Sequence, residues 1–295
     1  MANLKEIKRK IKSVYNTQKT TNAMKLVSTA KLKKAEELAK QSRVYANKLE
    51  EVMSNIAFKL RQYEDNIENI FFKSKGRDDI KKVDIIFITS DKGLCGGFNI
   101  KTLKEVMSTI DEFEKDGIEV RLKAIGKVGI EFFNFQKRPL YKEYFHVSSS
   151  PSYELACNII GESVVDFENG VTDSIFLIHN GYKNMISQEI RNQLLLPVEP
   201  IVSEKTENSK SLLEIEPNEE DVLTELLKRY FEYNMYYALV DSLAAEHSAR
   251  MQAMDNATNN AKARVRELNL AYNKARQENI TTELIEIISG VESMR

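Results

Sequence analysis

Leu226, Tyr230, Tyr233, Tyr237, Val240, Ala244, His247, Met251, Met254, Thr258, Ala261, Val265, Leu268, Tyr272 and Ala275 follow one another at alternating steps of four and three residues. Nearly all are apolar or small, and a mean spacing of about 3.5 residues is the seam of a coiled coil. Neither proline nor glycine falls between Val222 and Ser289. The spacing therefore predicts one helix over residues 219–295, on the order of 100 Å long at 1.5 Å per residue and longer than a compact domain is wide. A helix of that length needs a partner.

The other end of the chain supplies one. Leu4, Ile7, Ile11 and Val14 repeat at the same spacing, and the phase resumes at Leu38, Ser42, Tyr45, Leu49, Val52 and Ile56. Between them Gln18 to Ala30 is rich in polar and small residues, and no glycine or proline interrupts residues 1–75. A second helix over residues 1–62 is predicted, pairing with the first as an antiparallel coiled coil. The alternative is an ordinary bundle, whose helices are normally far shorter.

Residues 63–82 dissolve into charges and Gly76 and form a predicted linker. Val83–Thr89 is then a short, β-branched apolar run, expected to be a buried parallel strand. An amphipathic helix follows with Leu103, Val106, Met107, Ile110 and Phe113, then a strand over Val120–Ile125 and a short helix over Val128–Phe133. A further helix is expected from Tyr153 to Phe167 and a third apolar strand from Ser174 to His179. Alternating strands and helices imply an α/β domain with a mainly parallel sheet over residues 83–202. A polar linker over 203–218 leads to Pro217, near the first turn of the last helix. The α/β domain is thus inserted between two arms of one coiled coil.

The net charge of −1 conceals a division. Residues 1–62 hold 15 Lys/Arg against 5 Asp/Glu, while residues 63–218 hold 19 against 26 and residues 219–295 hold 9 against 13. The N-terminal arm is a basic element on an otherwise acidic chain. Its lysines and arginines suit nucleic-acid phosphates, acidic protein loops gripping a shaft, or plain solvation. Its aromatics are too sparse for base stacking. No apolar run reaches the roughly 20 residues that span a bilayer, the N-terminus lacks the apolar core of a signal peptide, and two cysteines without metal-like spacing suit a reducing compartment. A peripheral position, reached through partners, is expected.

The loop Gly93-Leu94-Cys95-Gly96-Gly97, between a strand and a helix, lies where a doubly wound fold cradles a phosphate. Its glycines fit neither nucleotide-binding spacing, and a tight turn with close packing is the expected use. Cys95 has no histidine at a recognisable catalytic spacing and is expected to be a packed cysteine. No catalytic residue, cofactor or metal is expected.

Three blocks carry a resemblance. They are Ile11-Lys12-Ser13-Val14-Tyr15-Asn16-Thr17-Gln18-Lys19-Thr20-Thr21-Asn22-Ala23-Met24-Lys25-Leu26-Val27, then Asp91 to Asn99, then Leu243 to Met254 continued by Tyr272 to Thr281. In this order, and over essentially the whole chain, they closely resemble the gamma subunit of bacterial F-type ATP synthases. The resemblance implies a Rossmann-like α/β domain inserted into an antiparallel coiled coil. It also implies a central rotor stalk inside a ring of three alpha and three beta subunits, with epsilon and the membrane c-ring at its foot. Ion flow would turn the stalk, and catalysis would belong to the surrounding subunits. The complex would lie on the cytoplasmic face of the inner membrane. Met24 and Lys25 match the family's contact with an acidic helix–turn–helix of beta. Arg276, Gln277, Thr281 and Glu283 match positions that hydrogen-bond to a loop of beta. The chain departs from the pattern at Leu212-Leu213-Glu214-Ile215-Glu216-Pro217, with Ile215 where many relatives carry tyrosine. A coiled-coil nucleic-acid-binding protein using the basic arm is the alternative.

Overall fold

The computed structural model describes residues 4–63, 70–72, 76, 79–198 and 219–294. The expected linker over 203–218, with Ile215 and Pro217, lies outside them, as does much of 63–82. Two long helices close the chain at either end, α1 (Leu4–Tyr63) and α5 (Glu219–Glu292). Between them run β1 (Lys82–Ile88), α2 (Phe98–Lys115), β2 (Glu119–Ile125), α3 (Lys127–Phe135), β3 (Lys142–Tyr144), α4 (Tyr153–Glu168), β4 (Ser174–Tyr182) and β5 (Gln188–Leu196), preceded by a single 3-10 turn at Ile70–Phe72. By packing, the chain divides into Met1–Thr29 with Arg250–Arg295, and Ala30–Ala249.

The larger unit is built on a five-stranded sheet in the order β3-β2-β1-β4-β5, parallel except for β5 against β4. Successive residues of a strand point to opposite faces, so an unbroken apolar run requires cover on both. Val83, Ile85 and Phe87 of β1 pack with Leu103, Val106 and Ile110 of α2 and with Ile130 and Phe133 of α3. Ile86 and Ile88 face the other way, into a core with Ile159 and Ile160 of α4, Phe231, Met235 and Leu239 of α5, and Leu49 and Met53 of α1.

Asp84 interrupts the run on that second face and is fully buried. Its carboxylate accepts from Arg121 Nε and Nη2, both at 2.7 Å, and pairs with Lys123 Nζ at 2.9 Å. Lys123, itself fully buried, donates to Ser163 Oγ at 2.8 Å, and Arg121 reaches Asp166 at 2.8 Å. Burying one such charge without a partner would cost several kcal/mol, roughly 3–5 when a pair is broken. Here each has one, and the set ties β1, β2 and α4 in one register.

On α1 the seam of the larger unit is not the one predicted. The buried residues are Leu32, Ala35, Ala39, Ser42, Ala46, Leu49 and Met53, whereas Leu38 is 37% exposed, Tyr45 47% exposed and Val52 half-buried. Ser42 and Leu49 are placed as expected; the side chain of Ile56 lies outside the description. A one-residue shift turns the buried face by about 100°. The larger apolar residue marks the seam only when helices stand apart. Here alanine and serine occupy most inner positions, so the backbones can approach closely, and Tyr45 moves to the rim with its ring 4.3 Å from that of Tyr233.

In the smaller unit the pairing keeps the predicted phase. Leu4, Ile7, Ile11, Val14, Gln18 and Thr21 are half-buried on α1, and Thr258, Ala261 and Ala275 are buried on α5. The Thr21 and Thr258 hydroxyls are hydrogen-bonded at 2.8 Å, and Lys25 Nζ donates to Asp255 Oδ1 at 2.7 Å. Antiparallel helices carrying this register bring Leu4 level with Ala275, which is the last buried residue described on α5.

The revised seam is testable by thermal unfolding. Ala46→Leu should destabilise the chain by about 1–3 kcal/mol through overpacking, while Leu38→Ala should change stability by no more than about 0.5 kcal/mol. The opposite ranking would restore the seam through Leu38 and Tyr45.

Candidate functional site: a filled crevice and an exposed helix end

A sheet ordered 3-2-1-4-5 reverses between β1 and β4, and ligands of such sheets bind outside the carboxyl ends of the strands at that point. The Gly93–Gly97 loop leads from this end of β1 into α2, as expected, but the crevice is occupied by the chain itself. Cys95 and Phe98 pack against Ala245 and Ala249 of α5, with Tyr182 alongside. Cys95 is 2% exposed, and its sulfur accepts from Asn99 Nδ2 at 3.2 Å. Asn99 Oδ1 in turn accepts from the Ser90 amide at 2.9 Å. This is a packed cysteine and not a nucleophile open to substrate.

The neighbouring turn is filled in the same manner. Gly126 begins it at φ 95°, where an added Cβ would lie 2.0 Å from the Thr89 carbonyl oxygen, so only glycine fits. At the start of α3, Asp91 accepts hydrogen bonds from the amides of Lys127 (3.2 Å), His146 (3.3 Å) and Ser149 (3.2 Å). Amides at a helix start are what a doubly wound fold offers to phosphate, and here a carboxylate of the chain takes them. Burial works to raise the Asp91 pKa, but the hydrogen bonds it accepts outweigh that and hold the carboxyl below its ordinary value. Among the described residues no group of three or more His, Cys, Asp or Glu is placed to hold a metal ion.

Of the residues singled out for partner contact, Met24 is half-buried and Lys25 is already engaged with Asp255. Both members of that pair are more than a third exposed, so it is worth at most about 1 kcal/mol. Arg276, Gln277, Thr281 and Glu283 are exposed on α5, beyond the last buried position of the pair. Thr281 Oγ1 donates to the Gln277 carbonyl at 2.9 Å, which leaves its oxygen able to accept. Helical spacing gathers these four on adjoining faces around Ile280 and Leu284, which are 49% and 54% exposed. Ile287, Ile288 and Val291 continue the exposed apolar surface. A small apolar centre rimmed by hydrogen-bonding groups is the make-up of a protein contact.

The comparisons with known proteins follow these features along the whole chain. The family model described as ATP synthase matches residues 3–294. The ATP synthase gamma chain of Campylobacter lari is 68% identical over 296 residues, covering all of both chains. The chain belongs to the ATP synthase gamma family. The gamma chain of Campylobacter jejuni is 66% identical over 298 residues, again covering both chains fully. Two solved structures share the fold at low identity. One, from the central stalk and c-ring of the Tetrahymena thermophila mitochondrial ATP synthase, has a TM-score of 0.59 at 24% identity, covering 81% of this chain and 99% of that one. The other, from the Euglena gracilis mitochondrial ATP synthase, has a TM-score of 0.67 at 16% identity, covering 99% and 94%. Nothing among these relatives supports the nucleic-acid reading of the basic arm. Among the described residues no helix is long and apolar enough to cross a membrane.

Sequence spacing alone could not single out Asp91, whose role is defined by three amides from two later segments. Asp91→Asn keeps one acceptor and loses the charge, and should cost about 1 kcal/mol near neutral pH. Because the folded pKa is lowered, the charge stabilises fully above the unfolded value and the gain fades as pH falls through the folded one. Unfolding midpoints of wild type and variant should therefore converge in acid. A difference that stayed constant below the ordinary carboxylate range would show that the Asp91 charge is not what the amides hold.

Proposed function

We propose that the chain is the rotor stalk of an F-type ATP synthase on the cytoplasmic face of the inner membrane, coupling ion flow to ATP synthesis or hydrolysis at beta subunits. The full-length match to gamma chains carries the reading. Its partners would be three alpha and three beta subunits around the helical pair, with epsilon and the c-ring at the α/β domain. A ring of near three-fold symmetry has no reason to hold its sites in different states unless something asymmetric biases them. A two-helix shaft is asymmetric, and its unequal contacts shift each site's equilibrium in turn.

In this reading the end of α5 beyond Ala275 seats in the ring, with Arg276, Gln277, Thr281 and Glu283 making hydrogen bonds around an apolar centre. Lys25, held by a half-exposed ion pair, exchanges Asp255 for an acidic partner on beta at little cost, with Met24 beside it. The filled crevice supports a domain that is held by other proteins and binds no nucleotide of its own.

Reconstitution with alpha and beta should give one copy per three alpha–beta pairs and rotation under ATP, and a chain left outside the hexamer would refute the assignment. Within such a complex, Arg276→Ala with Gln277→Ala should lower the coupled ATP synthesis rate roughly three- to tenfold while the helices stay folded by circular dichroism. Unchanged synthesis would remove these two residues from the contact.

A further inference from the structure

Helix α5 carries a second stripe besides its coiled-coil seam. Tyr237, shared with the seam, and then Asp241, Ala245 and Ser248 succeed one another at intervals of about one helical turn, and they meet the β4–β5 hairpin and the loop after β1. Asp241 is 2% exposed, and its carboxylate gathers donors from both strands. Arg191 Nη1 of β5 lies 2.8 Å from Oδ2, His179 Nε2 of β4 lies 3.3 Å from the same oxygen, and the Tyr182 amide donates to Oδ1 at 3.2 Å. Arg191 Nη1 also donates to the Tyr237 hydroxyl at 2.8 Å. Burial works to lower the Arg191 pKa, but the Asp241 charge and the Tyr237 hydroxyl hold it above its ordinary value. The space is closed by Gly181, where a Cβ would lie 2.5 Å from Asp241 Oδ2 and 2.7 Å from Arg191 Nε. Further along, Ser248 Oγ accepts from Gln188 Nε2 at 3.1 Å and lies 3.0 Å from the Met185 carbonyl, to which it donates.

The apolar contacts of this stripe are shallow. Ala245 and Ala249 set only methyl groups against Cys95 and Phe98, and apolar attraction has no preferred direction. Along this stretch, beyond the interlocked Phe231, Met235 and Leu239, a twist of the helix about its own axis slides across such a surface with little loss. Charge-assisted hydrogen bonds, fixed in length and angle, resist the same displacement. We infer that Asp241, with Arg191 and His179 as its receiving groups, is the key that locks α5 to the sheet against axial rotation, so that torque passes between the α/β domain and the helix through it. The inference rests on the rotor reading above. Asp241 is a positioning residue and touches no reacting group.

The test uses the complete ATP synthase complex in vesicles, carrying the full chain. Asp241→Ala is compared with Asp241→Asn and with Leu122→Ala, a buried residue of β2 that packs with α2 and α3 and not with α5, so that its loss weakens the domain away from the key. ATP hydrolysis by the soluble alpha–beta–gamma part is measured beside ATP-driven ion pumping by the whole complex. Asp241→Ala should leave hydrolysis within about twofold while the ratio of pumping to hydrolysis falls about fivefold or more, the lower end of an energetic coupling between two sites. Asp241→Asn, which still offers Arg191 an oxygen, should fall less, and Leu122→Ala should keep the wild-type ratio. An unchanged ratio in Asp241→Ala, or an equal fall in Leu122→Ala, would overturn the inference. If Asp241→Ala fails to assemble, the ratios of Asp241→Asn and Arg191→Met decide on the same terms. A wild-type chain that does not assemble or turn would overturn the rotor reading instead, and does so before any variant is compared.

Discussion

Helix α5 has to satisfy two structures at once. From Ala238 to Ala249 every residue except Leu243 is buried, because the same few turns form a strand of a coiled coil and a cover for the open end of a parallel sheet. The two demands explain an otherwise odd sequence. One stripe keeps the three-four alternation, while another carries Tyr237, Asp241, Ala245 and Ser248 toward the hairpin. Small residues recur in both, Ala244 in the one and Ala245 and Ser248 in the other, since a helix enclosed on all sides has little room for knobs. Alanine seams contribute little burial, a methyl giving well under the roughly 1.5–3 kcal/mol of a buried leucine. Directional polar contacts must therefore supply the positioning that side-chain interlocking supplies elsewhere.

The α/β domain follows the same economy. Charges inside it come in paired sets: Asp84 with Arg121 and Lys123 under the sheet, Asp91 with the amide at the start of α3 and two amides after β3, Asp241 with Arg191 and His179 under α5. Two of the three sit at the carboxyl end of the strands, the end that doubly wound enzymes leave open for substrate. A fold built to bind a nucleotide has here had its binding crevice closed by a helix and its amides taken by its own carboxylate.

Much of this was legible in the residues. The seam of α5 from Leu226 to Ala275 announces a coiled coil by spacing alone, and Val83–Ile88 announces a strand covered on both faces. Periodicity misplaced the seam of α1 because it favours Leu38 and Tyr45 over Ala39 and Ala46, whereas close-packed helices favour the reverse. Strand β5 went unseen because Gln188–Gln193 lacks an apolar run and reads as polar, and β3 because three residues are too few to show a period. Asp91 and Asp241 looked like ordinary acids. Their partners lie in segments between about 36 and 62 residues away in sequence, and no local pattern carries that information.

The antiparallel topology has a consequence for the order of events on the ribosome. Helix α1 emerges first, with a face that is alanine and serine from Ala35 to Ala46 and nothing to lay it against. The sheet follows with Arg191 and His179 still open to water at the place where Asp241 will sit. Both surfaces are completed by the last segment to be made, so the core that α5 shares with α1, α4 and the sheet cannot close until synthesis is nearly over. An exposed alanine face is a mild hazard in the interval, since it offers little apolar area for unwanted association. Seams of leucine and isoleucine would hold the finished shaft more firmly, and would leave the unfinished one far stickier.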